Sequence, residues 1–419
     1  MLKNVSVING TGRPVQKNVN VLIKNGKISS ISEKITDAQA TIIDLSGKTI
    51  MPLFTNVHAH LGMSKGATVT AGNFTREHIA KELNRYLSYG VGTVVSMGTD
   101  KALIFSIREA SHSGELSGAI VYTAGYGFRP PLGDRPQETA MEKLYRPATP
   151  EEAVRNVKEL AALKPDMIKI WVDDMGGYTE KIKPEVYRAI IAEAHRQGIR
   201  VAAHLFYLED AHLLLDAGVD IFAHSVRDKE VDDALIAKMK SKGTVYIPTL
   251  TRDAYEFFYG TDQPWINDAF FKASLEPGVY EMINDEEYKK RIVESSRYQS
   301  NKDAFNMALK NLKKLYDGGV LVALGTDSGA TPVRAQGFSE HLELQLMVEA
   351  GLTPLQAITV ATRNACQVLK LQDQGTLAPG KSADFVVLNA DPAENIKNSW
   401  SIAAVWKRGV KVSDGPVAK

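Results

Sequence analysis

"MPLFTNVHAHLG", residues 51–62, is an apolar run that ends in two histidines one residue apart. Alternate residues of a strand share a face, so His58 and His60 converge on one point. Two convergent imidazoles suit a metal ion. Two surface histidines at a strand end would read the same way. What stands at the ends of the other strands decides between these readings.

Similar apolar runs recur downstream: "GVGTVVSMG" (90–98), "AIVYTAG" (119–125), "DMIKIWVDD" (166–174), "IRVAAHL" (199–205), "VDIFAHS" (219–225), "TVYIPTL" (244–250) and "LVALGTD" (321–327). Helix-like segments separate most of them. In "TPEEAVRNVKELAAL" Thr149 precedes Pro150 and Glu152 as an N-cap signature, and in "KPEVYRAIIAEAHRQG" Pro184 stands near the start. With the first run this makes eight strand–helix units over roughly 300 residues, which predicts a parallel (β/α)8 TIM barrel.

The two ends of the chain read differently from the middle. "NVSVINGTG", "NVNVLIKNGKISSIS" and "ATIIDLSGKTIMP" alternate, and their Asn-Gly and Ser-Gly turns predict hairpins. "GTLAPGKSADFVVLN" and "IAAVWKRGVKVSDG" repeat the style. The expectation is a small β-sandwich domain from residues 1–50 and 370–419, with the catalytic barrel, 51–369, inserted between them. Residues 252–300, rich in Tyr, Phe and Trp, form either a lid over the barrel mouth or a helical insertion with its own core.

Bulk composition narrows the function class. The 419 residues are 44% hydrophobic and 24% charged, with net charge +1. Those are ordinary globular values, and without a basic excess nucleic acid is not an expected partner. No apolar run is long enough to span a bilayer, so no membrane partner is expected. The opening "MLKNVSVING" lacks an apolar signal core, so cytoplasm is the expected compartment. The single cysteine, Cys366, excludes an intrachain disulfide.

Chemistry in such a barrel sits at the C-terminal ends of the strands. There stand His58 and His60 on the first, Lys169 on the fourth, His204 on the fifth, His224 on the sixth and Asp327 on the eighth. An ammonium inside a strand as apolar as "MIKIWVDD" is costly unless paired or neutralised. His78, His112, His195, His212 and His341 fall in helix-like or loop segments and read as solvated or packed residues.

The ordered set His-x-His, Lys, His, His, Asp resembles the amidohydrolase superfamily, in its binuclear-metal branch with a carboxylated lysine. "DMIKIWVDD", "VAAHL", "GTDSG" and the C-terminal "GTLAPGKSADFVVLNADP" are most similar to its imidazolonepropionase-related group, which includes Xaa-Pro and Xaa-Arg dipeptidases and an ochratoxin-hydrolysing carboxypeptidase. The resemblance implies two divalent metal ions, zinc by preference with manganese or cobalt also suited, and a carbamate formed from carbon dioxide on Lys169. It implies His58, His60 and Asp327 on one ion, His204 and His224 on the other, and Lys169 bridging both. A metal-bridging hydroxide would attack the scissile carbonyl, with Asp327 as the proton shuttle. Three departures bear on substrate choice. Asn56 stands where relatives carry an acidic residue, "HLFY" replaces "AHG" after strand five, and Ser225 replaces a glycine after His224.

Candidate substrate contacts lie in the strand-end loops: Tyr126 and Arg129, Tyr207, Arg227 and Arg252. An arginine is a natural clamp for a carboxylate, though Arg227 and Arg252 could equally pair with Asp228 or Asp253. The leading expectation is a small-molecule amide hydrolase acting on dipeptides or N-acyl amino acids, with a homo-oligomer as one assembly open to it. The alternatives are a cyclic amide (imidazolone-like) or lactone hydrolase, an aminohydrolase, and a non-catalytic binding protein. Tyr207, three residues after His204 where such deaminases place a Glu, counts against the aminohydrolase.

Overall fold

The computed structural model describes residues 1–131 and 141–417. Its fold is mixed α/β. Both termini contribute to one sheet, in which Thr49–Pro52 pairs in parallel with Leu2–Val7 and antiparallel with Phe385–Leu388. Two tight turns build its edges. Asn25-Gly26 joins Gln16–Lys24 to Lys27–Ser32, and Arg408-Gly409 joins Ile402–Lys407 to Val410–Ser413. All four turn residues have positive φ, the conformation that matches the twist of a hairpin.

The Ser46-Gly47 hairpin expected from sequence does not form. Ile43–Asp44 and Thr49–Pro52 both pair in parallel with Leu2–Val7 instead of with each other. The Asp44 carboxylate accepts from the Ser46 amide at 3.1 Å and its hydroxyl at 2.7 Å, closing a side-chain turn that redirects the chain.

Between the termini, parallel strands alternate with helices. Phe54–Ala59, Val91–Ser96 and Ile120–Thr123 form one sheet. Ile168–Trp171, Val201–His204, Ile221–Phe222 and Val245–Tyr246 follow in sequence order in a second. The Asp166 amide bonds the Thr123 carbonyl at 2.8 Å, so the sheets meet there. Helices Pro150–Ala161 and Pro184–Arg196 start where expected, and the Thr149 hydroxyl accepts from the Glu152 amide. One small core cluster holds Val57, Val95, Ala202, Ile221, Val245 and Ala323.

The later strands are shorter than the sequence suggests. Residues 321–327 form only bridges and single bonds: Tyr246 with Val322, Ala59 with Ser328, and the Val57 amide on the Leu324 carbonyl at 2.9 Å. Two features interrupt the extended backbone. A Cβ at Gly325 would lie 2.4 Å from Ile247 and 2.7 Å from the His58 Cβ. Asp327 has φ 58°, a left-handed conformation costing a non-glycine residue about 1 kcal/mol. That turn lets the His58 carbonyl accept both the Thr326 and the Asp327 amides, at 3.0 and 2.8 Å.

Residues 252–300 are mainly helical and turn most of their aromatic side chains inward. Trp265 and Phe271 pack edge-on at 4.7 Å, Phe270 stacks on Trp400 at 5.5 Å, and both phenylalanines meet Phe338. They belong to the large core cluster between strands and helices. Among the described residues no helix is long and apolar enough to cross a membrane.

Candidate metal centre

The strand ends bring His58, His60, His204, His224 and Asp327 into the lining of one cavity. The ring centroids of His58 and His224 lie 4.6 Å apart, and those of His204 and His224 4.3 Å. His58, His224 and Asp327 each offer a ligand atom, all within 4.8 Å of one another. Burial is the reason these rings stay neutral. It lowers the pKa of His58 and His204 to about 3 and that of His224 well below the usual range, with Lys169 or the neighbouring rings adding to the effect.

Each imidazole has one nitrogen held from outside the cluster. His58 Nδ1 lies 2.7 Å from the Ala223 carbonyl oxygen, His60 Nδ1 2.7 Å from Thr99 Oγ1, and His224 Nδ1 2.8 Å from Thr249 Oγ1. His204 is held at Nε2, 2.8 Å from Asp173 Oδ2. Partners of this kind orient metal-ligating histidines. The inner nitrogens converge: His58 Nε2 and His60 Nε2 lie 3.2 and 2.7 Å from Asp327 Oδ1, and His204 Nδ1 is buried with no hydrogen-bond partner.

Lys169 is wholly buried, and its Nζ also has no hydrogen-bond partner. Burial lowers its pKa to about 7; Asp327 opposes the shift and Arg129 adds to it. The amine therefore loses its proton far more readily than an exposed lysine, with Trp171 beside it at 5.3 Å. Gly98 makes the room, since a Cβ there would lie 2.7 Å from the Lys169 Cβ. Neutral imidazoles, one carboxylate and an unpartnered amine form a donor set that fits divalent metal ions.

Asp327 stays ionised. Burial disfavours its charge, but the Arg334 guanidinium first and then the adjacent His58 and His60 rings hold its carboxyl well below the usual range. Its Oδ1 faces the imidazoles while its Oδ2 accepts from Arg334. Arg334 also reaches Glu256 Oε1 at 3.2 Å.

The candidate substrate residues separate. Arg129 and Arg252 line the metal cavity, with Arg334, Thr331 and Met141. Arg129 lies over the Trp171 ring at 4.2 Å. Tyr207, Arg227 and Arg252 line an adjoining cavity, so Arg252 is common to both. Arg227 pairs with Asp253 at 3.2 Å, and Arg252 pairs with the same carboxylate at 2.8 Å. Tyr126 donates to Glu142 at 3.2 Å and does not line the metal cavity. His341 is a packed core residue, bonded to Ser399 and to the Tyr89 carbonyl at 2.9 and 2.8 Å.

Sequence reasoning missed Asp173, Thr249, Thr99 and Arg334. "IWVDD" offered a signal for Asp173, an acid just past the end of a strand that carries a candidate ligand. Thr249 stands between Pro248 and Leu250, and Thr99 follows Gly98 in a turn-like stretch; neither gave a signal.

Comparisons with known proteins agree with this architecture. Ochratoxinase of Aspergillus niger is 29% identical over 363 residues, covering 80% of this chain and 66% of that protein, just under two thirds of its length. Imidazolonepropionase of Deinococcus deserti is 39% identical over 106 residues, 24% of this chain and 26% of that one. A crystal structure of a Xaa-Pro dipeptidase with bound methionine in its active site superposes with a TM-score of 0.76 at 23% identity, covering 98% of each chain. Such neighbours imply a TIM barrel with a β domain. Residues 49–412 match the amidohydrolase family, and the chain belongs to that family.

Proposed function

We propose that the protein hydrolyses the amide bond of dipeptides or N-acyl amino acids at a two-metal centre. The observation that carries this reading is Lys169, a buried amine with no hydrogen-bond partner beside neutral imidazoles and a single carboxylate. The amine attacks carbon dioxide and loses a proton, leaving an anionic carbamate able to bridge two cations. His58, His60 and Asp327 would hold one ion, His204 and His224 the other. Once bound, such ions supply a water of lowered pKa and a Lewis acid for the scissile carbonyl. Asp327 takes the proton of the attacking water and delivers it to the leaving nitrogen. Arg252 and Arg129, joined by Arg334, offer guanidinium groups in the same cavity to a substrate carboxylate. Tyr207 and Arg227, in the adjoining cavity, would meet the more distant part of the substrate.

The same reading takes the parallel strands and their bridges as a closed (β/α)8 barrel over 51–369, beside a β-sandwich of 1–50 and 370–419. Residues 252–300 act less as a lid than as a wall, because only Arg252 among them lines the metal cavity. Cyclic amides are the second reading, favoured by the imidazolonepropionase match.

The test is a substrate screen by mass spectrometry. Protein is loaded with zinc, manganese or cobalt in bicarbonate, with a chelated control. Chelator-sensitive release of an amino acid from dipeptides or N-acyl amino acids is the expected result. Turnover confined to cyclic amides or lactones would replace this reading with the second, and ammonia release from heterocycles would overturn both.

A further inference from the structure

Helix Phe338–Glu349 carries a buried carboxylate, Glu340, in its first turn. Its Oε1 accepts from Asn56 Nδ2 at 2.6 Å, Thr326 Oγ1 at 2.7 Å and Ser328 Oγ at 2.8 Å. Its Oε2 accepts from the Gly337 amide at 2.7 Å. The directions of these bonds are fixed by their neighbours. Thr326 Oγ1 already accepts from Asn56 Nδ2 at 2.9 Å and from the Ser328 amide at 3.2 Å, so its proton goes to Glu340. Ser328 Oγ meets the Tyr86 hydroxyl at 2.7 Å and can accept from it. Burial raises the pKa of Glu340, and the four donors oppose that shift by favouring its ionised form.

The donors come from two strand ends. Asn56 uses its other atom, Oδ1, to accept the His58 amide at 2.9 Å. Thr326 and Ser328 flank Asp327. We propose that Glu340 is the positioning residue of the metal centre, tying the His58–His60 strand end to the Asp327 turn so that both reach one ion. Its partners are 284, 14 and 12 residues away along the chain, so no local structure supplies the tie. The inference rests on the metal reading above.

Glutamine at position 340 keeps the shape but puts an NH2 group against either Asn56 Nδ2 or the Gly337 amide. One donor then faces another in either rotamer. Changing Asn56 to Asp as well reverses the polarity of the contact and restores a pair. Zinc affinity, measured by chelator competition without substrate, is the first readout. Glu340→Gln should weaken it about 10- to 100-fold, the range for residues that orient ligands, and lower kcat more than it raises KM. Asn56→Asp/Glu340→Gln should recover most of that loss. If Glu340→Gln does not fold, Ser328→Ala, which removes one bond to Glu340, should weaken zinc binding by less. Wild-type affinity in a folded Glu340→Gln or Ser328→Ala variant, with only Tm lowered, would reduce Glu340 to a core anchor and overturn the inference. A double variant no better than the single would overturn it too. Wild-type protein that takes up no metal would instead defeat the proposed function.

Discussion

The histidines of the candidate centre and the arginines of its cavity and the adjoining one are held by different kinds of partner. Three of the four imidazoles rest on a carbonyl or a hydroxyl, and His204 rests on Asp173, whose other oxygen accepts the Met175 amide. The arginines share carboxylates. Arg252 and Arg334 both reach Glu256, at 3.8 and 3.2 Å, and Arg252 and Arg227 both reach Asp253. A ring with one dedicated partner keeps its orientation. A guanidinium on a shared carboxylate can trade part of that contact for a substrate anion at small cost. The cavity therefore joins a fixed cluster to an exchangeable wall.

The largest expected effect falls on the fixed cluster. On the proposed two-metal reading, Lys169→Ala would remove the bridging anion and should cost several kcal/mol of charge stabilisation, about a thousandfold or more in kcat/KM, with loss of metal. Metal analysis alongside kinetics checks this, and full activity without the lysine would sink the two-metal reading. Asp327→Asn should lower kcat by about 10²- to 10⁴-fold with metal largely retained. A wild-type rate there would assign the proton to another group. Asp173→Asn should weaken metal binding about 10- to 100-fold by freeing the His204 ring. Equal affinity in titrations of the two proteins would show that packing alone orients it.

Substitution in the wall should act on substrate rather than metal. Arg252→Gln should raise KM for carboxylate-bearing substrates about tenfold, the loss of roughly one charged hydrogen bond, and leave metal content unchanged. A fall in metal content would break the division between cluster and wall. The smallest effect is a pH dependence. The folded Lys169 pKa, about 7, lies below its unfolded value, so between that pH and the ordinary lysine range the unfolded chain binds more protons. Metal-free protein should therefore gain stability as pH rises from 7 towards 10, and metal loading in bicarbonate should rise through pH 7 as the amine becomes neutral. Chemical denaturation across that range checks the first; a flat profile would mean that Lys169 is charged in the folded as well as the unfolded chain.

The ligand-bearing strand ends were legible because each rests on a local pattern, an apolar run closed by one polar residue. Period-2 alternation places His58 and His60 on one face without reference to the rest of the chain. The end of the eighth run was less legible. "LVALGTD" reads as a strand, yet close approach of Gly325 to His58 and the left-handed Asp327 leave only bridges there. The Ser46-Gly47 turn misled for a similar reason, since pairing with the first strand overrode a local hairpin signal.

The sequence by itself determined which residue types reach the cavity and in what order, since strand periodicity and the run of polar residues at strand ends are local properties. Only the tertiary structure decided what holds them. Asp173 meets His204 across 31 residues, Thr249 meets His224 across 25, and Glu340 meets Asn56 across 284. The side chains in these contacts stand on different elements, so no spacing in the chain announces them. Burial in the folded molecule, absent from any local reading, is what shifts Lys169 towards its neutral amine and keeps His58, His204 and His224 neutral.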